Sequence, residues 1–293
     1  MPQAVRRLIL LVFVLCGVAA GEVAVAEEEP PTGRRLELGG GVGLLSRPDY
    51  RGSTEVSTTV LPLPYASYES ERVELSRDGL DARLFRSERV RLGFSASASL
   101  PGDGSQDTVR RGMPDLRPTF EIGPALEVKL GEHWGTWHLD LPMRAVAAAD
   151  FDGARGIGWL AAPDVRVEKS WALRGWNIES EWKAGPLWAS RKYHAYFYGV
   201  APRFQTPDRP AYDARSGYSG ARTAIYLGLR RGAWRIGAGV THDWLAGAVM
   251  RDSPLVETRH GTVVAIGVFY SWWTFKSATA KGPLEPADPA SSP

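Results

Sequence analysis

From Gly261 to Phe275 the chain alternates. Val264, Ile266, Val268, Tyr270 and Trp272 are large and apolar, and Ala265, Gly267 and Ser271 between them are small. A period of two predicts a strand. Aromatics at its end are what a strand carries where it leaves hydrocarbon for the headgroups of a membrane. The same alternation recurs: Leu36, Leu38, Gly40, Val42 and Leu44 against Glu37, Gly39, Gly41 and Gly43; Val90 to Leu100 against Arg91, Gly93, Ser95, Ser97 and Ser99; Phe120 to Leu130 against Glu121, Glu127 and Lys129. Trp137, Leu139, Leu141 and Met143 oppose His138, Asp140 and Arg144, and Trp176, Ile178 and Trp182 oppose Asn177, Glu179, Glu181 and Lys183. Pro62 and Pro64 interrupt the segment from Val56 to Tyr68, where a bulge or a strand end is expected because each removes a ladder donor.

A soluble sandwich would permit this alternation, with its apolar faces inward. Two features favour the inverted, membrane arrangement. The strands reach about ten residues or more, the length a tilted strand needs to cross a bilayer. Tryptophan, 11 in all, collects at strand ends, notably Trp134, Trp159, Trp188, Trp244, Trp272 and Trp273. Strands starting near residues 36, 56, 71, 80, 89, 116, 134, 161, 176, 220, 233 and 262 make about 12. Long connections at 46–55, 101–115, 149–160, 189–219 and 247–261 then alternate with short ones, apart from a short turn at Asp78-Gly79. Bacterial barrels place their long loops outside and their short turns in the periplasm. The predicted fold is all-β: a transmembrane antiparallel up-and-down β-barrel over 36–275, closed by pairing of the last strand with Leu36 to Leu44.

The ends fit an exported protein. Arg6 and Arg7, the apolar run Leu8 to Ala20 and Ala24-Val25-Ala26 predict a signal peptide over 1–26. Residues 27–35 read as a periplasmic lead-in and 276–293 as a flexible tail rich in Ala, Pro and Ser. Cys16, the single cysteine, lies in the segment predicted to be removed, so neither a disulfide nor a thiolate metal site is expected. Lys+Arg 35 against Asp+Glu 33 gives no field that would recruit nucleic acid.

The strings Tyr50-Arg51-Gly52-Ser53, Leu61-Pro62-Leu63-Pro64-Tyr65, Arg111-Gly112-Met113-Pro114-Asp115, Tyr198-Gly199-Val200 and Asp252-Ser253-Pro254 resemble, in order, the MipA/OmpV family of outer-membrane proteins. That resemblance implies an outer-membrane location and a scaffold role bringing a lytic transglycosylase and a murein synthase together, with adhesins and osmolarity-responsive surface proteins among other members. It also implies that Gly267, Tyr270, Trp272 and Phe275 form the signal read by the barrel assembly machinery. Family members usually stop near the terminal aromatic, whereas here Lys276 to Pro293 continues.

No catalytic or cofactor constellation emerges. The histidines 133, 138, 194, 242 and 260 lack metalloprotease spacing, and Gly217-Tyr218-Ser219-Gly220 falls short of a nucleophile elbow. His138 with Asp140 and Arg144 on one face is the sharpest candidate for chemistry; a lumen network of paired charges is the reading preferred for it. Inward charges of both signs predict cross-strand pairing in a narrow or plugged lumen. The chain is read as non-enzymatic, with a small-solute channel or surface adhesin as the alternative.

Overall fold

The computed structural model describes residues 33–70, 72–76, 79–99, 109–150 and 153–278. The predicted signal peptide, residues 27–32 of the lead-in and residues 279–293 of the tail lie outside them. The alternating segments form β1 (Gly33–Pro48), β2 (Val56–Glu69), β3 (Val73–Ser76), β4 (Gly79–Arg86), β5 (Val90–Ser99), β6 (Thr119–His133), β7 (Gly135–Asp150), β8 (Gly153–Ala161), β9 (Asp164–Leu173), β10 (Trp176–Ala189), β11 (Gly217–Arg231), β12 (Trp234–Trp244) and β13 (His260–Ala278). Each pairs antiparallel with its sequence neighbour, except that β8 and β9 are two halves of one stave, both paired to β7 and β10. The result is a closed antiparallel barrel of 12 staves. The break at Pro163 is accommodated by Gly185, where a Cβ would stand 2.0 Å from the Pro163 carbonyl.

Closure is made by β13 on β1, from Gly33↔Ala278 to Ser46↔Val264, as the alternation predicts. The ladder runs three residues past the predicted limits on each strand, so residues 33–35 and 276–278 belong to the wall. Its faces are inverted relative to a soluble protein. Val42 is 56% exposed and Ile122 60%, whereas Glu37, His138 and Asp243 are each 4% exposed. Apolar side chains stay outside because hydrocarbon is their solvent there, and charges turn inward where they can pair. Trp159, Trp188 and Trp244 ring one end; Trp134, Trp234, Trp272 and Trp273 ring the other.

Two expectations are corrected. The connection placed at 149–160 is mostly wall: β7 runs to Asp150, which pairs with Gly153 of β8. Gly153, Gly156 and Gly158 erase the apolar alternation there, so the sequence reads as loop. Pro62 and Pro64 mark neither a bulge nor an end, since β2 keeps an unbroken register with β1 across both.

Candidate functional site

In the lumen, inward-facing strand positions bring charges into contact. Arg166 of β9 is the hub: its Nε donates to Asp140 Oδ2 at 2.7 Å, and its two terminal nitrogens donate to Glu168 Oε2 at 2.8 Å and Glu127 Oε2 at 2.9 Å. Arg91 meets the other Glu127 oxygen at 3.2 Å. His138 stands between Glu127 and Glu168, with Nδ1 and Nε2 at 3.1 and 3.0 Å from their carboxylates. Both contacts are close, but neither ring nitrogen meets hydrogen-bond geometry in them. The His138–Asp140 candidate therefore resolves into the charge network: Asp140 is held by Arg166, and His138 lies against Glu127 and Glu168.

The charges are mixed, as predicted, but sorted by wall. Along β6 to β10, Glu121, Glu127, Asp140, Asp164, Glu168, Glu179 and Glu181 outnumber Lys129, Arg144, Arg166 and Lys183. Along β11 to β13 and β1 the balance reverses, with Arg222, Arg230, Arg235, Lys276 and Arg35 around Glu37 and Asp243. Glu37 receives Arg235 at 2.7 Å and Arg230 at 3.6 Å, and also pairs with Arg35.

A cap of loops lies across the outer mouth. Its centre is a helix that sequence reasoning missed, α1 (Arg191–Tyr198), which starts at Ser190. The signal for it was a capping Ser before a short run and a Gly after it. Ser190 Oγ accepts from the amides of Tyr193 at 3.2 Å and Trp159 at 3.1 Å. It fits because Gly158, at φ +122°, has no side chain: a Cβ would stand 2.0 Å from that oxygen. The helix thus docks onto β8 and turns Tyr193 into the mouth. Burial pushes the Tyr193 phenol up to about 12, with Glu121 of the nearby β6 acting in the same direction.

The loop motifs meet here. Tyr50, Tyr198, Val200, Leu245, Ala248, Met250 and Leu255 form one apolar core, with Met113 packed against it. Tyr50 donates to the Leu255 carbonyl at 2.7 Å, and Tyr198 to the Arg51 carbonyl at 2.9 Å. Ser253 Oγ donates to the Tyr198 carbonyl at 2.7 Å. Gly52, at φ +100°, lets its carbonyl accept from both Glu257 and Thr258. Gly199 ends the helix, its N–H donating to Ala195. Arg111 accepts at its carbonyl from Arg209 at 3.1 Å, and Gly112 makes the turn at φ +81°. Pro254 follows Ser253 in its turn, and the Asp252 side chain is exposed. On β13, Gly267 faces the lumen, while Tyr270, Trp272 and Phe275 face outward. Trp272 is left without a partner by a bulge opposite Leu38 and Gly39.

Beneath the cap, Asp243 takes Arg51 at 2.9 Å and Arg222 at 3.0 and 3.1 Å. His194 Nδ1 donates to the Arg215 carbonyl at 2.6 Å, which leaves Nε2 to accept from Ser219 Oγ at 3.0 Å. This resembles half of a hydrolytic triad. Both residues are 0% exposed, however, and Arg51 also donates to Ser219 Oγ at 3.2 Å, so the hydroxyl is tied into the cap. Arg110 and Arg209, both buried, fasten the cap through backbone carbonyls such as Phe197 and Val109. None of these residues carries a sequence signal beyond its type. Among the described residues no three His, Cys, Asp or Glu side chains converge as metal ligands. A groove of about 790 Å³ opens beside the cap, floored by Met113, Tyr196, Phe204 and Tyr212 and rimmed by Arg117, Arg155 and Arg203.

A sequence model of the family described as MltA-interacting protein MipA matches residues 40–272. No curated protein matches the chain. Among solved structures, it is similar to a monoaromatic hydrocarbon channel, the TodX deltaS2S3 mutant (TM-score 0.30, 11% identity, 85% of this chain and 91% of that one). It is also similar to the outer membrane protease OmpT from Escherichia coli (TM-score 0.28, 8% identity, 87% of this chain and 100% of that one).

Proposed function

The chain belongs to the MipA family of outer-membrane barrels, and from that premise we propose that it is a non-enzymatic scaffold, holding murein-remodelling enzymes against the inner face of the outer membrane. The observation that carries this reading is how the interior is used. The cap core occupies the mouth and the Arg166 lattice occupies the lumen beneath it. Groups committed to one another in this way serve neither an open aqueous pore nor a solvent-accessible catalytic centre. What remains for partners is the surface, and toward the cell wall that means the short turns, the lead-in and the tail after Ala278.

The partner class follows from the family's description, which names an interaction with MltA. A lytic transglycosylase is the first partner to test and a murein synthase the second. Residues 1–26 direct export and are removed by cleavage after Ala26, and the outward Tyr270, Trp272 and Phe275 with Gly267 offer β13 to the assembly machinery.

Crosslinking in intact cells, followed by identification of captured proteins, tests the scaffold: murein enzymes recovered with the full chain support it, and their absence refutes it. Truncation after Ala278 separates the tail from the turns, since unchanged capture removes the tail from the docking surface. Planar-bilayer recording tests the closed interior, where a stable open conductance of the intact protein would favour the channel alternative. The outer groove favours a second reading, a surface-ligand or adhesive role, because its volume falls in the range of ligand sites.

A further inference from the structure

Two short turns at the periplasmic end are built from residues that resist the conformation they hold. Among the described residues, Trp134 at φ +62° and Arg174 at φ +49° are the only ones other than glycine with positive φ. In that region a Cβ crowds the neighbouring carbonyl oxygen, so glycine or asparagine is the easier choice. Arg174 and Gly175, at φ +49° and +80°, form a two-residue turn of the kind that Asn-Gly usually fills. A tryptophan and an arginine are thus held in these turns against local preference. Both lie on one arc of the wall, since Trp134 leads into β7, Arg174 joins β9 to β10, and β9 pairs with both β7 and β10.

Trp134 receives a cation there. Lys169 Nζ lies over its ring, 5.1 Å from the centroid. Arg166 and Glu168 meet in the lumen, so alternation turns Lys169, Trp171 and Leu173 toward lipid. A second pair repeats the arrangement on the next two strands. Arg230 reaches Glu37 in the lumen, which turns Arg231 outward, and its guanidinium lies 5.7 Å from the centre of the Trp176 ring. A Cβ on Gly175 would stand 4.0 Å from Arg231 Nε, so this guanidinium sits beside the Arg174 turn.

Depth and charge identify what these cations meet. Trp134, 70% exposed, and Trp234, 51% exposed, belong to the aromatic girdle, which marks the headgroup layer. Lys169 shares the lipid-facing side with Trp171 and Leu173, and its long stem carries the ammonium to that layer. The acids of the same elements are engaged elsewhere: Glu168, Glu179 and Glu181 turn to the lumen by the same alternation, and Glu132 pairs with Lys129. A headgroup arriving at this arc therefore encounters Lys169, Arg174 and Arg231 together. A net negative headgroup is attracted, whereas the ammonium of a zwitterionic ethanolamine headgroup is repelled. A soluble acidic protein would have to enter the headgroup layer to reach Lys169.

We propose that the outward face of β9 to β11 at the periplasmic end is a binding site for an anionic phospholipid of the inner leaflet, phosphatidylglycerol. Lys169, Arg174 and Arg231 supply the positive charge, and Trp134 and Trp176 form the platform that holds two of these cations in place. The site is independent of the scaffold role and of the outer cap.

The test is native mass spectrometry of the full-length protein in detergent, with equimolar phosphatidylglycerol and phosphatidylethanolamine of identical acyl chains, after the fold is verified by heat-modified electrophoretic mobility. The expected result is phosphatidylglycerol adduct several-fold more abundant than phosphatidylethanolamine adduct. The double variant Lys169→Gln, Arg231→Gln should lose that preference, and Arg155→Gln, an exposed cation at the outer end, should keep it. Arg174→Gly separates binding from architecture, because it removes the cation and the left-handed strain together. Its thermal unfolding should come no earlier than that of the native protein, while its phosphatidylglycerol adduct falls. Equal adducts of the two lipids on the native protein overturn the proposal. So does undiminished phosphatidylglycerol adduct in the double variant or in Arg174→Gly, or an equal fall in Arg155→Gln.

Discussion

Tyr198 joins two loops that are far apart in sequence: its phenol donates to the Arg51 carbonyl at 2.9 Å, while Ser253 Oγ donates to the Tyr198 carbonyl at 2.7 Å. With its ring 2% exposed in the cap core, this one residue holds the first, fifth and last outer loops together. Tyr198→Phe should lose only the hydrogen bond, about 1 kcal/mol. Tyr198→Ala should cost about 3–5 kcal/mol through the cavity it leaves. The expected outcome in intact cells is new cleavage of the Tyr198→Ala cap by added protease, with the barrel's heat-modified mobility unchanged. Equal resistance of the two variants would show that the core does not depend on this ring.

The lumen lattice makes a second prediction. Arg166→Ala would leave Glu127, Asp140 and Glu168 facing one another without their shared cation. Removing one partner from a buried ion pair typically costs about 3–5 kcal/mol. Urea unfolding in detergent micelles should show a loss of that order. Adding Glu127→Gln and Asp140→Asn to the variant should recover part of it, because the uncompensated charge is what destabilises. No recovery would mean that the guanidinium acts mainly by filling space.

Much of the wall was legible in the sequence, because a strand with lipid on one face and lumen on the other repeats every two residues; β6, β7 and β13 show this with few exceptions. β8 was not legible, because glycines interrupt its alternation, and one of them, Gly158, serves a contact with Ser190 that lies far away in sequence. The cap was visible only as strings of Tyr, Arg, Gly and Ser. Its core exists only once the loops meet, so alternation carries no trace of which tyrosine packs against which leucine. His194 and Ser219 are joined by the helix that α1 forms on β8, and no local pattern pairs them.

The Gly158 contact is itself testable. In Gly158→Ala the new methyl would occupy the position of Ser190 Oγ, and the backbone at φ +122° disfavours any side chain. A cost of roughly 1–3 kcal/mol is expected at such a position. It should appear locally, as faster amide exchange in α1 with the strands still protected. Ser190→Ala should produce a milder version, about 1 kcal/mol, by removing the cap oxygen alone. If Gly158→Ala instead lowered the protection of β7 and β10, the glycine would matter to the wall rather than to the helix.

The cap should loosen in acid because of His194. Burial holds its imidazole below the ordinary value of 6.5, with the nearby Arg51 acting in the same direction and the Arg215 carbonyl opposing them. The neutral ring suits its partners, since Nδ1 donates to Arg215 and Nε2 accepts from Ser219. Protonation would turn Nε2 into a donor and place a charge near Arg51. In an opened cap the ring regains a pKa of about 6.5. Below that value, down to the lower pKa of the closed form, the opened cap holds more protons than the closed one. The stability that neutral His194 contributes is therefore fully present above about pH 6.5 and lost as pH falls through it. Protease access to the cap, measured in whole cells between about pH 7.5 and about pH 5.5, should rise with acidity in the native protein. His194→Gln stays neutral throughout, and its access should change much less over the same range. If both proteins open equally with acid, the titrating group is another one.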